Sequence, residues 1–119
     1  MPYVDGYVIP IPKKNVKAYL AVAKKASKVW MEHGALEYRE SVGDDLNVKF
    51  GTPFPKALGL KPSETVIFAW VVYKSKAHRD KVNAKVMKDP RIAAMMSPEE
   101  MPFDDKRMQM GGFEIMVEG

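Results

Sequence analysis

The sequence predicts an α+β domain of the ferredoxin-like kind, a four-stranded antiparallel sheet with two helices on one face in the order βαββαβ. Three observations lead there. Four segments have the alternation and the β-branched or aromatic content of strands. Two lysine-rich segments between them have helical periodicity. The 119 residues are enough for one compact domain, here residues 1–119, and too few for two.

The first strand is read at Tyr3–Ile11. Pro12 then opens a helix in which Val16, Tyr19, Leu20, Ala23, Ala26 and Trp30 recur on one side while Lys13, Lys17, Lys24 and Lys28 share the other. Gly34, after the last periodic residue, is its stop signal. Leu36–Val42 is the second strand, Gly43-Asp44-Asp45 a turn, and Leu46–Phe50 a short extra strand pairing back. Gly51–Ser63, with three prolines and two glycines, is read as a loop or lid. Thr65–Tyr73 is the third strand. Ser75 is the N-cap of a second helix that carries His78, Val82 and Val86 one turn apart, and Asp89-Pro90 ends it, because a residue before proline is pushed out of the helical region. A short helix and loop should cross over through Met87–Arg107, its ends fixed by ion pairs of Asp104, Lys106 and Arg107. Gln109–Glu118 is the last strand. Of nine methionines, Met95, Met96, Met101, Met108 and Met110 fall in the last quarter, where they read as adaptable packing under irregular segments.

The third strand is apolar on both faces, with Val66, Phe68, Trp70 and Val72 on one and Ile67, Ala69, Val71 and Tyr73 on the other. Helices can cover only one face of such a sheet. A second copy of the chain is the simplest cover for the other, so a homodimer is expected, two sheets face to face in a dimeric α/β barrel with a cavity in each protomer. An interface of standard size buries about 1,200–2,000 Å² in total.

The net charge of +4 is uneven. Lys13–Lys28 carries six lysines and no acid, Lys74–Arg91 seven bases and two acids, and the remainder is net acidic, with six bases and thirteen acids. The favoured reading is two solvated helix faces on a protein kept in solution by them. Nucleic acid is not the expected partner, since neither face interleaves aromatic stacking platforms or a helix-insertion motif. The chain has no cysteine, which excludes disulfides, thiolate metal sites and Cys nucleophiles and makes the cytoplasm the plainest location. No signal-peptide pattern and no apolar run near the ~20 residues of a membrane span is present, so no membrane partner is expected.

Several runs are long and oddly composed. They are Tyr3-Val4-Asp5-Gly6-Tyr7, Gly51-Thr52-Pro53-Phe54-Pro55, Phe68 to Asp80 followed by Val82 to Met87 and Asp89-Pro90-Arg91, Met101-Pro102-Phe103-Asp104, Lys106-Arg107-Met108 and Gly111-Gly112-Phe113. In these the chain resembles, over essentially its whole length, the DUF1428 family of small uncharacterised bacterial proteins. The resemblance implies the dimeric α/β-barrel superfamily. It implies no reaction, because that shape is shared by cofactor-free monooxygenases, haem-degrading enzymes, muconolactone isomerase-like proteins and members without known activity.

Alternation suggests which side chains face the dimer-side cavity. If the small Val4, Gly6 and Val8 lie beneath the helices, Tyr3, Asp5, Tyr7 and Ile9 point the other way. Leu36, Tyr38 and Val42 suit the helix side of the second strand, leaving Glu37, Arg39 and Ser41 opposite, and Phe113, Ile115 and Val117 suit the core, leaving Glu114 and Met116 opposite. Asp5, Tyr7, Arg39, Trp70, His78 and Glu114 are the pocket candidates, with Arg39 as an anion clamp and Tyr7 or a carboxylate as proton-transfer group. The plainer reading of this set is cross-strand ion pairing. His33 reads as a helix C-cap and His78 as a partner of the preceding loop or a group at a pocket rim beside Trp70 and Asn83. No metal site or other cofactor is expected, since cysteine and a His-x₃-His pair are both missing. Two functions stay open. One is a homodimer that binds a small organic ligand and acts on it without a cofactor. The other is a non-catalytic interaction module whose basic helices touch an acidic partner or RNA.

Overall fold

In the computed structural model, which describes residues 1–95 and 101–119, β1 (Tyr3–Pro12) runs through the interior of a sheet of order β2-β3-β1-β4 with every neighbouring pair antiparallel. The other strands are β2 (Glu37–Val42), β3 (Glu64–Tyr73) and β4 (Gln109–Glu114). Between β1 and β2 stands α1 (Val16–Glu32), entered through a 3-10 turn at Lys13–Asn15 and ended by Gly34 at φ 112°, a left-handed conformation that glycine adopts without strain. Between β3 and β4 stand α3 (Lys76–Lys88) and the short α4 (Pro90–Met95). Ser75 caps α3 by accepting the His78 N–H at 3.1 Å, and Asp89 before Pro90 is extended at φ −74°, ψ 125°, as the pre-proline rule demands. The fold is the expected α+β, ferredoxin-like one.

Three local expectations are corrected. Residues 46–50 form no strand, and Leu46 instead folds back over Gly43. The expected loop contains one helix, α2 (Phe54–Leu58), started by Pro53 and closed by Gly59 at φ 62°. β4 stops at Glu114 rather than Glu118, because its partner β1 begins at Tyr3 and offers only the Pro2 carbonyl beyond it, taken by the Ile115 N–H at 2.9 Å. Met96 lies outside the described residues.

Residues directly opposite in the ladders share a face. Tyr3, Asp5, Tyr7, Ile9 and Ile11 of β1 sit against Tyr73, Val71, Ala69, Ile67 and Thr65 of β3, and these lie under the helices. Their packing divides into two clusters. One joins Tyr3, Val71 and Tyr73 to Val29, Val82, Val86 and Ile92; the other joins Ile9, Ile11, Ile67 and Ala69 to Tyr19 and Ala23, and Tyr7 touches both. On α1 Val29 is buried, whereas Leu20, which the spacing put on the apolar side, is 40% exposed. On the opposite face Val4, Gly6, Val8, Phe68, Trp70, Val72, Phe113 and Ile115 line a shallow apolar groove that no element among the described residues covers.

Candidate functional site

Between the two core clusters the sheet and α1 stand apart, leaving a partly open cavity of about 270 Å³ bordered by α4 and the segment from Met101 to Met108. Its walls are apolar apart from one acid. Alternation along β2 places Tyr38 and Glu40 on the helix side, opposite Val71 and Ala69, and α1 brings Tyr19 to the same spot. Glu40 accepts the Tyr19 hydroxyl at Oε1 and the Tyr38 hydroxyl at Oε2, each at 2.7 Å. Tyr19 is steadied by an edge contact with Phe103 at 5.8 Å and Tyr38 by the tilted ring of Trp30 at 6.0 Å. Burial first, and then the Glu40 carboxylate, hold both phenols well above the ordinary tyrosine range, so they stay protonated as donors. Tyr7 lines the same cavity, its phenol pushed up to about 12 by burial and by the charge of Asp5.

Beside this cavity is a second polar group of a different kind. Asp5, 2% exposed, meets Arg79 of α3 at 2.9 Å (Oδ1 to Nη1), and the guanidinium lies 4.9 Å over the Tyr3 ring. Asn83, one turn further on, accepts from the Tyr73 hydroxyl at 3.2 Å and from Trp30 Nε1 at 3.4 Å. These bonds tie α3 to β1, β3 and α1. Burial raises the Asp5 carboxyl, and the attraction of Arg79 offsets only part of that.

The sequence compares with known proteins over nearly its full length. Residues 2–105 match the model of a family described as "Protein of unknown function (DUF1428)". The chain belongs to the DUF1428 family. It is 41% identical over 118 residues to "Uncharacterized protein YbaA" of Escherichia coli strain K12 and equally to that of Shigella flexneri, covering 99% of this chain and 99% of each relative. Among solved structures the DUF1428 chain is similar to a dimeric ferredoxin-like protein from an uncultured marine organism, with TM-score 0.62, 11% identity and full coverage of both chains. It is also similar to an uncharacterized NIPSNAP domain protein from Burkholderia xenovorans, with TM-score 0.61, 15% identity, and 97% of this chain and 95% of that one covered. A third is a dimeric ferredoxin-like protein of unknown function from Jannaschia sp. CCS1, with TM-score 0.58, 13% identity, and 95% and 99% covered. These likenesses concern the fold.

Of the residues singled out from the DUF1428 sequence, Tyr7 and Trp70 both line the cavity, but the set as a whole is divided between the two faces of the sheet. Asp5 and Tyr7 lie under the helices rather than on the open face, and Glu114, opposite Tyr3, is turned to the same side at the exposed sheet edge. On the open face the Phe113 ring lies over Gly6 and Gly111, while the tyrosines of β1 fill the space beneath the helices. Arg39 and Trp70 do face the open side, where both contact Glu37: Trp70 Nε1 donates to it at 2.7 Å and Arg39 lies 3.5 Å away, largely exposed. His78 accepts the Lys74 N–H at Nδ1 and sets its ring edge against Tyr73, on the side of the sheet away from Trp70. His33 caps α1 and reaches Asp89 at 2.9 Å, linking α1 to the junction of α3 and α4. Arg107 pairs with Glu64 at 2.6 Å, while Asp104 caps its own turn through the Lys106 N–H. Glu40, Tyr19 and Tyr38 were missed as a group. The readable signal was an acid two residues after Tyr38 on the helix-facing side of a strand. Among the described residues no group of three or more His, Cys, Asp and Glu is placed to hold a metal, and no helix is long and apolar enough to cross a membrane.

Proposed function

We propose that this DUF1428 protein is a homodimer that binds a small organic molecule in the cavity between its sheet and helices. The observation that carries this reading is Glu40, a carboxylate set in an otherwise apolar cavity and held at both oxygens by tyrosine hydroxyls. A half-buried carboxylate facing apolar walls costs stability that an apolar residue would not, so its presence there fits recognition of a ligand better than packing. The size fits a small ligand, slightly below the ~300–1,000 Å³ of drug-sized sites. The exposed aromatic rings of Phe68 and Phe113 on the opposite face support the dimer, a second copy being a cover of matching shape and chemistry. The dimeric ferredoxin-like neighbours accord with it.

A thermal-shift screen of small organic molecules tests the ligand, run on the parent protein and on Ala26→Leu, which projects new bulk from α1 into the cavity. Compounds that raise the parent's Tm should fail to raise that of the variant. Hits that stabilise both equally place the ligand elsewhere. Light scattering at micromolar concentration tests the dimer: twice the chain mass is expected for the parent, and Phe68→Ser with Phe113→Ser should halve it. A monomeric parent refutes that half of the reading.

A further inference from the structure

We propose that the ligand of this cavity is an organic cation, a small molecule with a protonated amine or quaternary ammonium head and an apolar body. The inference rests on the reading that the cavity is the ligand site, and it adds the charge of what enters. Glu40 brings a negative charge, and among the described residues no lysine, arginine or histidine lines the space. Residues 96–100 contain no such base either. The guanidinium of Arg79 is already committed to Asp5 at 2.9 Å and to the Tyr3 ring, and that of Arg107 to Glu64 at 2.6 Å.

The hydrogen bonds point the same way. Tyr19 and Tyr38 spend their protons on Glu40, so toward the cavity they offer only lone pairs, and each Glu40 oxygen keeps a further acceptor site. The rings of Tyr7, Tyr19, Trp30, Tyr38 and Phe103 present π systems whose faces are electronegative. An anion would therefore meet acceptors, aromatic faces and a carboxylate without a compensating donor of positive charge. An ammonium head gains from all three, by ion pairing with Glu40 and by cation–π contact with the rings. The apolar body would lie among Met87, Met95 and Met108, whose unbranched side chains adapt to different shapes.

The test is a charge series on one ring system: phenyltrimethylammonium, benzylammonium, benzyl alcohol and benzoate, titrated by isothermal calorimetry or ligand-observed NMR. The two cations should bind at least about tenfold more tightly than benzyl alcohol, and benzoate should not bind. Glu40→Gln should weaken the cations by about tenfold or more and leave benzyl alcohol within about twofold. The series on the parent protein alone decides the matter if that variant does not fold. Benzoate binding as well as the cations, or cation affinity unchanged in folded Glu40→Gln, overturns the proposal. So does the failure of all four probes. In each of these cases the broader reading of the cavity is decided separately, by whether hits from the unbiased screen are lost in Ala26→Leu.

Discussion

Replacing Arg79 by methionine should be the most damaging single change on the helix side of the sheet, and its cost should depend on pH. The substitution keeps an unbranched side chain over Tyr3 but leaves Asp5, 2% exposed, with no cation. Breaking a buried pair by removing one partner costs about 3–5 kcal/mol, and the lost contact with the Tyr3 ring, 4.9 Å from the guanidinium, adds about 0.5–1 kcal/mol. At roughly 0.05–0.15 kcal/mol per residue a chain of this length has about 6–18 kcal/mol in all, so the variant should stay folded with a large part of its margin gone. The Asp5 carboxyl is already raised in the parent because burial outweighs the pull of Arg79, and without Arg79 it must rise further. A carboxyl raised in the folded state stabilises fully below its unfolded value of 3.8 and loses that contribution as pH climbs through the folded value. The deficit of Arg79→Met should therefore be greatest at pH 7 and narrow toward pH 4, and adding Asp5→Asn should recover much of it. Urea titrations followed by tryptophan fluorescence, at one fixed protein concentration so that self-association does not enter, measure this directly. A loss below about 1 kcal/mol at pH 7 with the parent's pH slope would mean that water reaches Asp5 and would refute the reasoning.

Three further outcomes are expected. Tyr19→Phe and Tyr38→Phe should each cost about 1.5–3 kcal/mol, a charged acceptor losing its donor. The double variant should lose more than the sum, because Glu40 is then bare; additivity within about 0.5 kcal/mol in urea titrations would argue against a shared acceptor. Gly112→Ala should destabilise by about 1–3 kcal/mol in the same assay, since a Cβ there would sit 2.7 Å from Cε2 of Tyr3, whereas Gly6→Ala meets Phe113 at an ordinary 3.6 Å and should be mild. Hydrogen bonds from Arg91 and then His33 hold the Asp89 carboxyl well below its ordinary 3.8, so its contribution is present above that value and is lost as pH falls through the folded one. Arg91→Ala should thus lower Tm at pH 6, the gap to the parent closing below pH 3, and an equal gap at pH 2 and pH 6 would count against it.

What could be read from the residues, and what could not, follows from the physics of a strand. Alternation divides a strand into two sets but does not say which set meets the helices. On β2 the division and the assignment are both visible, since Tyr38 is bulky and apolar and Glu37, Arg39 and Ser41 are not, and the structure agrees. On β1 both sets are credible core. Small size is no mark of lying beneath a helix: Gly6 lies on the open face, where Phe113, a residue 107 positions away, packs over it only through the β1–β4 register. With β1 the wrong way round, Asp5 and Tyr7 were placed on the open face and β4 was turned to match. The ion pair between Asp5 and Arg79 could not correct this, because Arg79 belongs to no apolar pattern on α3 and its partner is 74 residues distant. Helix boundaries fared better, being written locally in Ser75, Gly34 and Asp89-Pro90.

The two acids under the helices, Asp5 buried and Glu40 half-buried, are treated by the same fold in two ways. Asp5 is neutralised within the chain: Arg79 reaches it, stacks on Tyr3, and thereby fastens α3 to β1, so the pair is complete as structure. Glu40 is two strands away and receives only neutral donors from Tyr19 and Tyr38, which satisfy its hydrogen bonding without cancelling its charge. A guanidinium on α1 facing the cavity would be as accessible to the sequence as the one on α3, and α1 instead presents Tyr19, Val22, Ala23, Ala26 and Trp30 there, with its lysines on the outer side. The small residues leave the volume and the tyrosines hold the carboxylate in place within it. The charge that completes Asp5 is part of the protein; on the reading proposed above, the charge that completes Glu40 comes with a ligand in the cavity.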